Sequence, residues 1–337
     1  MNLPTFADIV NAKKLSVEER RADVDRLVRW NGRENTIKLL GNPYIQSYMT
    51  EHMGKTRYEN KPTLKETMED EHLRADLYKR TITKERLEVN MPQAFSRRSP
   101  ICFLKPSTAK HIYKTFNATK VLDFTAGWGG RMLGAYASGI EYTGIDTNVE
   151  LKPVYEQMMA ELSEWTTGKA RMIWEDCRNV DFSTIDYDLV FTSPPYHNKE
   201  VYEHMTPFPS KEIFYKEFLI PLLNRSLKHI RRNGWVCINV NPEYYEELLQ
   251  YGFRKADRIV EFQQSSVKRK DGTTKMEQVY CWQNDHVPAP ASAPVPAPAT
   301  EDVQSVCSSD PSVPCARCRE LEQEIAKLKS AMKKLLE

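Results

Sequence analysis

The sequence predicts an α/β protein built on a mostly parallel sheet, with helices on both faces and an antiparallel hairpin at its end. Between about residues 96 and 285, short β-rich runs alternate with segments of helical periodicity, which is the pattern of successive βαβ units. The last two runs, DRIVEFQQ and QVYCWQN, are joined by KRKDGTTK and therefore indicate a hairpin. A glycine-rich turn follows the first run, as in sheets that bind ligands at their carboxyl edge.

The composition is that of a globular protein with a sizeable core. The chain has 337 residues, of which 40% are hydrophobic and 28% are charged. No apolar run approaches the roughly 20 residues that span a bilayer, and the first residues lack the pattern of a signal peptide. The seven cysteines are odd in number and scattered, which favours reduced thiols over a disulfide framework. We therefore expect a soluble, intracellular protein with no membrane partner.

Residues 1–95 have a charged, helical pattern and are expected to form a separate helical region. In SVEERRADVDRLVRW, Ser16 is placed as an N-cap and Glu19 follows three residues later, as in a capping box. Apolar residues such as Val24 and Leu27 then recur at helical spacing. The sequence therefore predicts a helix that begins after Ser16.

The C-terminal part of the chain changes composition abruptly. Residues 286–314 are rich in proline, alanine and serine, which predicts an extended linker. Residues 315–337 carry apolar side chains at alternating spacings of four and three, which is the seam of a short parallel coiled coil and predicts a homo-oligomer. A frayed amphipathic tail is the alternative. The seam consists of Leu321, Ile325, Leu328, Met332 and Leu335. Cys315 and Cys318 form a lone CxxC, which is a weak metal signal, and no metal is predicted.

The turn in VLDFTAGWGGR and the acids that end three strands indicate a ligand site. Asp123 ends the first strand, and Gly127 and Gly129 lie in the turn that opens a helix, where a ligand can approach the backbone closely. Asp146 and Asp176 end the next two strands, and Asp146 is suitably placed to accept hydrogen bonds from ribose hydroxyls. The alternative is that each acid merely ends a strand or caps a helix. The turn lacks both the G-x-G-x-x-G spacing of dinucleotide sites and the G-K-[ST] of phosphate loops.

Together with SPPY at residues 193–196, these elements resemble the S-adenosylmethionine-dependent DNA amino-methyltransferases, which act on the exocyclic amine of cytosine or adenine. The resemblance covers residues 96–285, and SPPY after an apolar strand is its most specific motif. It implies a Rossmann-like methyltransferase fold with a mostly parallel, seven-stranded sheet. The residues that it implies for binding the cofactor, S-adenosylmethionine, are Lys105, Asp123, Thr125, Gly127, Gly129, Asp146, Asp176 and Cys177. The chain departs from the family's glycine motif, because Phe124 and Thr125 replace a proline and a phenylalanine and Trp128 fills a normally small position.

The tetrapeptide SPPY predicts how an unreactive amine is activated. An exocyclic amine is a poor nucleophile because its lone pair is delocalised into the ring, so acceptors must be placed against its N–H bonds. The Ser193 hydroxyl and the Pro194 carbonyl can accept these hydrogens, while Pro194 and Pro195 hold the backbone rigid without a competing N–H. Tyr196 offers a stacking face to a base that is flipped out or single-stranded. The alternative is a proline-ended strand whose tyrosine packs in the core.

The cysteines argue against methylation at C5 of cytosine. That reaction needs a nucleophilic cysteine in the position that SPPY occupies, and SPPY contains none. Cys177 and Cys237 lie in apolar runs, where core packing is the usual role.

The sequence therefore predicts a DNA amino-methyltransferase, with N4 of cytosine favoured because serine in the first position of the motif is associated with cytosine in the family that it resembles. The alternatives are N6 of adenine in DNA or RNA, a protein glutamine amide, and a non-catalytic nucleic-acid-binding module. Candidate basic surfaces are FSRRSP (95–100), KHIRR (228–232) and KRKDGTTK (268–275). No recognition domain follows SPPY, so residues 1–95 are expected to contribute to target recognition.

Overall fold

The computed structural model describes residues 4–33, 39–81, 101–195, 197, 200–201, 207–268 and 274–284. The predicted linker and coiled coil lie outside these residues, as do Tyr196 and the predicted boundary near residue 95.

The core of the fold is a seven-stranded sheet. The strands of the structure are β1 (Arg57–Tyr58), β2 (Lys120–Asp123), β3 (Glu141–Asp146), β4 (Lys169–Trp174), β5 (Leu189–Thr192), β6 (Glu200–Val201), β7 (Trp235–Asn239), β8 (Arg258–Lys268) and β9 (Thr274–Gln283). The order of strands in the seven-stranded sheet is β4-β3-β2-β5-β7-β9-β8. The first five strands of this order are parallel, and β9 is antiparallel to both β7 and β8. The predicted Rossmann-like architecture, a mostly parallel seven-stranded sheet with an antiparallel C-terminal hairpin, is confirmed.

Helices cover both faces of the sheet, as predicted. Successive residues of a strand point to opposite faces, and accordingly Val121 packs in one hydrophobic cluster and Leu122 in the other. The helices are α1 (Phe6–Asn11), α2 (Val17–Arg29), α3 (Asn42–Lys55), α4 (Leu64–Glu69), α5 (Glu71–Thr81), α6 (Pro106–Thr115), α7 (Gly130–Tyr136), α8 (Lys152–Trp165), α9 (Lys211–Ile213), α10 (Ile220–His229) and α11 (Pro242–Gln250), with a π-helical segment (Phe214–Leu219) between α9 and α10. The first cluster includes residues of α2, α3, α6, α7 and α8, and the second includes residues of α10 and α11. Among the helices that the structure describes, none has the length and hydropathy needed to cross a membrane.

The N-terminal helices form a further layer on the first face of the sheet. The Ser16 capping box is present as predicted, because the Ser16 hydroxyl accepts from Glu19 N and the Glu19 carboxylate accepts from Ser16 N. The buried Lys110 ammonium of α6 donates to the Leu27, Val28 and Ala137 carbonyls, at 2.9, 2.8 and 3.0 Å. Lys110 thereby joins the C-terminal ends of α2 and α7. This layer shares one hydrophobic cluster with the sheet.

A two-stranded antiparallel ribbon forms a second link to the N-terminal layer. Arg57 pairs with Val201, and Tyr58 pairs with Glu200, in the chain that follows SPPY. The pairing brings β1, which lies between α3 and α4, next to the segment just beyond the predicted catalytic residues.

Candidate active site

A cavity of about 270 Å³ opens where the sheet reverses its strand order, at the carboxyl ends of β2 and β5. Ligands bind at this position in open α/β sheets. Most of the residues predicted from the sequence line the cavity together. They are Lys105, Thr125, Gly127, Asp146, Asp176, Cys177, Ser193, Pro194 and Pro195. The turn after β2 and the proline turn after β5 therefore face one shared space.

Two glycines shape the turn after β2. Gly127 and Gly129 have φ angles of 62° and 79°, in the left-handed region that side chains disfavour. Gly127 lines the cavity, and its carbonyl accepts a hydrogen bond of 2.9 Å from the Tyr155 hydroxyl of α8. Gly129 is not among the lining residues. It precedes α7 and packs so closely on α8 that an added Cβ would lie 3.1 Å from the Met158 Cε.

Beneath the turn, Asp123 forms a buried ion pair with Arg131 and does not line the cavity. The Arg131 Nε lies 2.5 Å from the Asp123 Oδ2, and the two residues are 5% and 0% exposed. The Tyr142 and Thr192 hydroxyls also donate to Asp123, at 2.7 and 2.8 Å. Arg131 also donates to the Thr125 carbonyl, so the pair holds the turn from below. Asp123 therefore stabilises the turn through Arg131 and does not contact the cavity itself.

Asp146 presents a carboxylate to the cavity in a fixed orientation. Its Oδ2 accepts a hydrogen bond of 2.7 Å from Gly127 N, and its Oδ1 accepts one of 2.9 Å from Asn148 N. Burial raises the pKa of Asp146, while these two backbone hydrogen bonds act in the opposite direction. A carboxylate has about four acceptor sites, so each oxygen keeps the capacity to accept from a neighbouring pair of hydroxyls.

Asp176 and Cys177 border the cavity after β4. Both Asp176 oxygens accept from Arg178, with the closest contact of 2.6 Å to Nη2. Burial tends to raise the pKa of Asp176, but the hydrogen bonds from Arg178 outweigh it and the pKa is lowered overall. Burial raises the pKa of Cys177 to about 12, so this residue is a neutral thiol and not a nucleophile.

Ser193 is held so that its oxygen acts as an acceptor. Its hydroxyl donates a hydrogen bond of 3.1 Å to the Asn239 carbonyl at the end of β7, which commits the only hydroxyl hydrogen. The Thr125 hydroxyl donates to the Ser193 carbonyl at 3.1 Å and thereby ties the glycine turn to the proline turn. Among the described residues, none donates to the Pro194 carbonyl. Two oxygens of this turn are thus available to N–H groups of a ligand.

Aromatic side chains form the wall beside the proline turn. Phe208 and Phe218 line the cavity with their ring centroids 5.0 Å apart. His197 packs its ring on Phe208 at 6.5 Å, and its backbone N–H donates to the Pro195 carbonyl at 3.0 Å. Because Tyr196 lies outside the described residues, its predicted stacking role stays a prediction.

The segment that precedes α6 closes the cavity from the side of the N-terminal layer. It approaches α7 so closely that an added Cβ on Gly130 would lie 2.0 Å from the Leu104 carbonyl oxygen. This approach places Lys105 on the cavity wall. Burial lowers the pKa of Lys105, and the charges of Glu277 and Cys102 partly offset the shift.

Several lining residues were not predicted from the sequence: Cys102, Arg131, Arg178, Phe208, Asn239 and Glu277. For Asn239 a signal was present, because the predicted strand WVCINVNP ends in polar residues at the same edge of the sheet. Glu277 carried no such signal, since it lies on the antiparallel strand β9 and its closeness to the cavity follows from the pairing of the sheet.

The candidate basic surfaces lie in different places. KHIRR is at the amino edge of the sheet, opposite the cavity, where Arg231 pairs with Asp186 just before β5. FSRRSP lies outside the described residues. In KRKDGTTK, residue 268 ends β8 and residues 274 and 275 begin β9, while residues 269–273 lie outside the described residues.

Comparison with known proteins gives similarities in fold only. No family model matches the chain, and no curated protein matches its sequence. The structure is similar to TrmN from Thermus thermophilus, with 17% identity and a TM-score of 0.36, over 53% of this chain and 48% of that one. It is also similar to an RNA methyltransferase from Salinibacter ruber in complex with S-adenosyl-L-homocysteine, with 15% identity and a TM-score of 0.35, over 56% of this chain and 97% of that one. A methyltransferase from Pyrococcus furiosus gives 13% identity and a TM-score of 0.37, over 54% and 83% of the two chains.

Proposed function

We infer that this protein transfers a methyl group from S-adenosylmethionine to the exocyclic amine of a nucleobase, with N4 of cytosine in DNA as the favoured acceptor. One observation carries the inference. The Ser193 oxygen and the Pro194 carbonyl are both available as acceptors, and they lie in the same cavity as the Asp146 carboxylate. A cofactor subsite and an amine subsite thus adjoin, as direct transfer between two bound molecules requires.

The residues of the cavity fit S-adenosylmethionine. Asp146 is oriented to accept from both ribose hydroxyls, and Gly127 allows close approach of the ligand to the turn. Lys105 is placed to pair with the carboxylate of the methionine portion, and Cys177 offers an apolar contact to the adenine. When bound, this cofactor supplies an electrophilic methyl group on a positively charged sulfur.

The proline turn would prepare the amine for attack. With its own hydrogen donated to Asn239, the Ser193 oxygen accepts one amine hydrogen, and the Pro194 carbonyl accepts the other. Both contacts draw the lone pair out of conjugation with the ring and aim it along one direction. The lone pair would then be directed at the methyl carbon that the cofactor supplies, and transfer would leave the electron pair of the carbon–sulfur bond on sulfur and release one amine proton to solvent.

Cytosine is the favoured base because serine, which Ser193 provides in the first position of the motif, is associated with cytosine in the family that the sequence resembles. A serine oxygen brings no negative charge against the base, whereas a carboxylate does. N6 of adenine in DNA or RNA is the alternative that keeps the mechanism. A protein glutamine amide would suit the same acceptors, and a non-catalytic binding module is the alternative that discards the reaction.

The test is to incubate the purified full chain with labelled S-adenosylmethionine and mixed-sequence DNA or RNA, and then to identify the labelled nucleoside by mass spectrometry. We expect N4-methylcytosine from DNA. Label in N6-methyladenine would overturn the choice of base. Label in 5-methylcytosine, or no labelled nucleoside at all, would overturn the proposed reaction.

For the cofactor subsite, we predict that Asp146→Ala weakens binding of S-adenosylmethionine by about 1.5–3 kcal/mol, the range for hydrogen bonds to a charged group. Isothermal titration calorimetry measures the change. Glu150→Ala is the matched control, because Glu150 is exposed in the same loop. Equal affinities of the Asp146 variant and the control would remove Asp146 from the cofactor subsite.

For the amine subsite, we predict that Ser193→Ala slows methyl transfer about tenfold to a hundredfold, since one hydrogen bond to the reacting group is worth roughly 1.5–3 kcal/mol when charge develops. Cofactor affinity is expected to stay unchanged. Single-turnover kinetics measures the rate, and the exposed Ser183→Ala serves as the control. A variant that loses cofactor binding as much as rate would show that Ser193 has a different role.

A further inference from the structure

A second cavity lies on the second face of the sheet, between the loop that follows β4 and helix α10. Its volume is about 510 Å³. The loop contributes residues 178–181, and α10 contributes Asn224, Arg225, Lys228 and His229. Arg178 lines this cavity and the candidate active site as well, so the two spaces adjoin. We call the second cavity the side groove.

Half of the described residues that line the side groove are basic. They are Arg178, Arg225, Lys228 and His229, and Asp181 is the only acid in the same set. Residues three and four apart lie on one side of a helix, so Arg225, Lys228 and His229 share one side of α10. An excess of positive charge in a concave surface raises the local concentration of anions. The side groove is therefore suited to an anionic ligand.

Arg225 is held so that one edge of its guanidinium stays open. Its Nη1 donates to three carbonyls of the loop, those of Cys177, Arg178 and Val180, at 3.3, 2.8 and 3.1 Å. Its guanidinium carbon also lies 5.4 Å from the centroid of the Phe182 ring. Among the described residues, none accepts from the Arg225 Nε or Nη2, and neither nitrogen is buried without a partner, so both face solvent. This edge of an arginine binds two oxygens of a phosphate at once, and here its orientation is set before any ligand arrives.

One acid offsets part of the positive charge of the side groove. Hydrogen bonds from Ser183 lower the pKa of Asp181, and the charges of His229 and Arg225 lower it further. Asp181 is therefore ionised and lies close to both residues. Lys228 is exposed and forms no ion pair with a described residue. A net positive charge thus remains in the side groove.

We propose that the side groove binds a phosphate group of the nucleic-acid backbone, with the Arg225 Nε and Nη2 as its two donors and Lys228 as a second contact. The choice of nucleic acid rests on the proposed function. A strand whose base occupies the active-site cavity keeps its phosphates outside that cavity, and Arg178 borders both spaces. Arginine and lysine are usual partners of phosphate in such complexes. Free inorganic phosphate has the same chemistry, and the experiment distinguishes the two sources.

The experiment measures binding of a duplex and of a single-stranded oligonucleotide by the full chain as salt is varied. In Lys228→Gln and in Arg225→Gln, the slope of log K against log salt should fall in magnitude by about 0.9 on duplex DNA and about 0.7 on a single strand. Lys228→Arg should keep the slope of the wild-type protein. Lys114→Gln is the matched control and should also keep it, because Lys114 is exposed on α6, at the opposite face of the sheet.

Arg225 also holds the loop, so urea unfolding must show that Arg225→Gln is folded. Lys228→Gln removes no contact with a described residue and tests the side groove even if Arg225→Gln does not fold. Isothermal titration calorimetry with inorganic phosphate then separates the two sources. If phosphate binds the wild-type protein and not the groove variants, but their slopes on oligonucleotides match Lys114→Gln, the ligand is a free phosphate and the choice of nucleic acid is wrong.

The outcomes also separate the side groove from the reaction. Affinity for S-adenosylmethionine should be unchanged in Lys228→Gln, and the KM for DNA should rise with little change in kcat. If the wild-type protein methylates a nucleobase but the groove variants match Lys114→Gln in slope and in phosphate binding, the groove proposal is wrong and the proposed function stands. If phosphate binds through Arg225 and Lys228 but the wild-type protein neither binds nor methylates DNA or RNA, the phosphate site stands and the proposed function is wrong.

Discussion

Replacing Asp123 by alanine is expected to lower the free energy of unfolding by about 3–5 kcal/mol, the cost of leaving a buried charge without its partner. Arg131 is 5% exposed, and Asp123 is its only acidic partner among the described ion pairs. Tyr142 and Thr192 would lose their acceptor as well. The glycine turn rests on this cluster, so cofactor affinity should fall together with stability.

Urea unfolding measures this effect, and a double variant tests its cause. Asp123→Ala combined with Arg131→Met removes both charges, so it should recover a large part of the stability lost in Asp123→Ala alone. Asp186→Ala is the control, because Asp186 forms ion pairs with Lys120 and Arg231 but is exposed, and such pairs contribute about 0–1 kcal/mol. A loss in Asp123→Ala no larger than in this control would contradict the prediction.

Lys110→Met is expected to destabilise the protein by about 3 kcal/mol or more. The substitution keeps most of the side-chain volume but leaves the Leu27, Val28 and Ala137 carbonyls without their charged donor, and each buried acceptor without a partner costs about 1–3 kcal/mol. The first two carbonyls end α2 and the third follows α7, so the effect should be greatest on attachment of the N-terminal layer.

Urea unfolding measures the loss of stability, and hydrogen exchange tests whether the effect is greatest in the N-terminal layer. Amides of α2 and α3 should exchange faster in Lys110→Met, while those of β5 and β7 should change less. Lys114→Met, one turn further along α6 and exposed, is the matched control. Uniform acceleration across the sheet, or a stability equal to that of the control, would show that Lys110 does not join the two layers.

Much of the fold could be predicted because its signals are local. Each strand is a short β-rich run, and the capping box at Ser16 needs only Glu19 three residues later. The position of Asp146 and Ser193 at one edge followed from the rule that parallel strands share their carboxyl ends.

The features that could not be predicted depend on the orientation of individual side chains and on partners that are far away in the sequence. Asp123 ends its strand at the same edge as Asp146, but its carboxylate pairs with Arg131 and does not line the cavity. The position of a residue along a strand predicts the edge of the sheet at which the residue lies. It does not predict which group its side chain will bind. Lys110 lies in a run that resembles an ordinary charged helix, and two of the three carbonyls that it binds are 82 and 83 residues earlier in the chain.

The N-terminal layer has a consequence for the order of events during synthesis. Arg20 on α2 binds Glu161 on α8, 141 residues later, and the Tyr44 hydroxyl of α3 reaches the Met158 carbonyl 114 residues later. At a translation rate of about 5–20 residues per second, roughly 7–28 s pass between the synthesis of Arg20 and the synthesis of Glu161. During this interval the sheet that covers the apolar faces of the first helices is incomplete. The nascent chain is thus exposed to aggregation at its N-terminal end, and its folding is expected to depend on whatever shields these helices until α8 emerges.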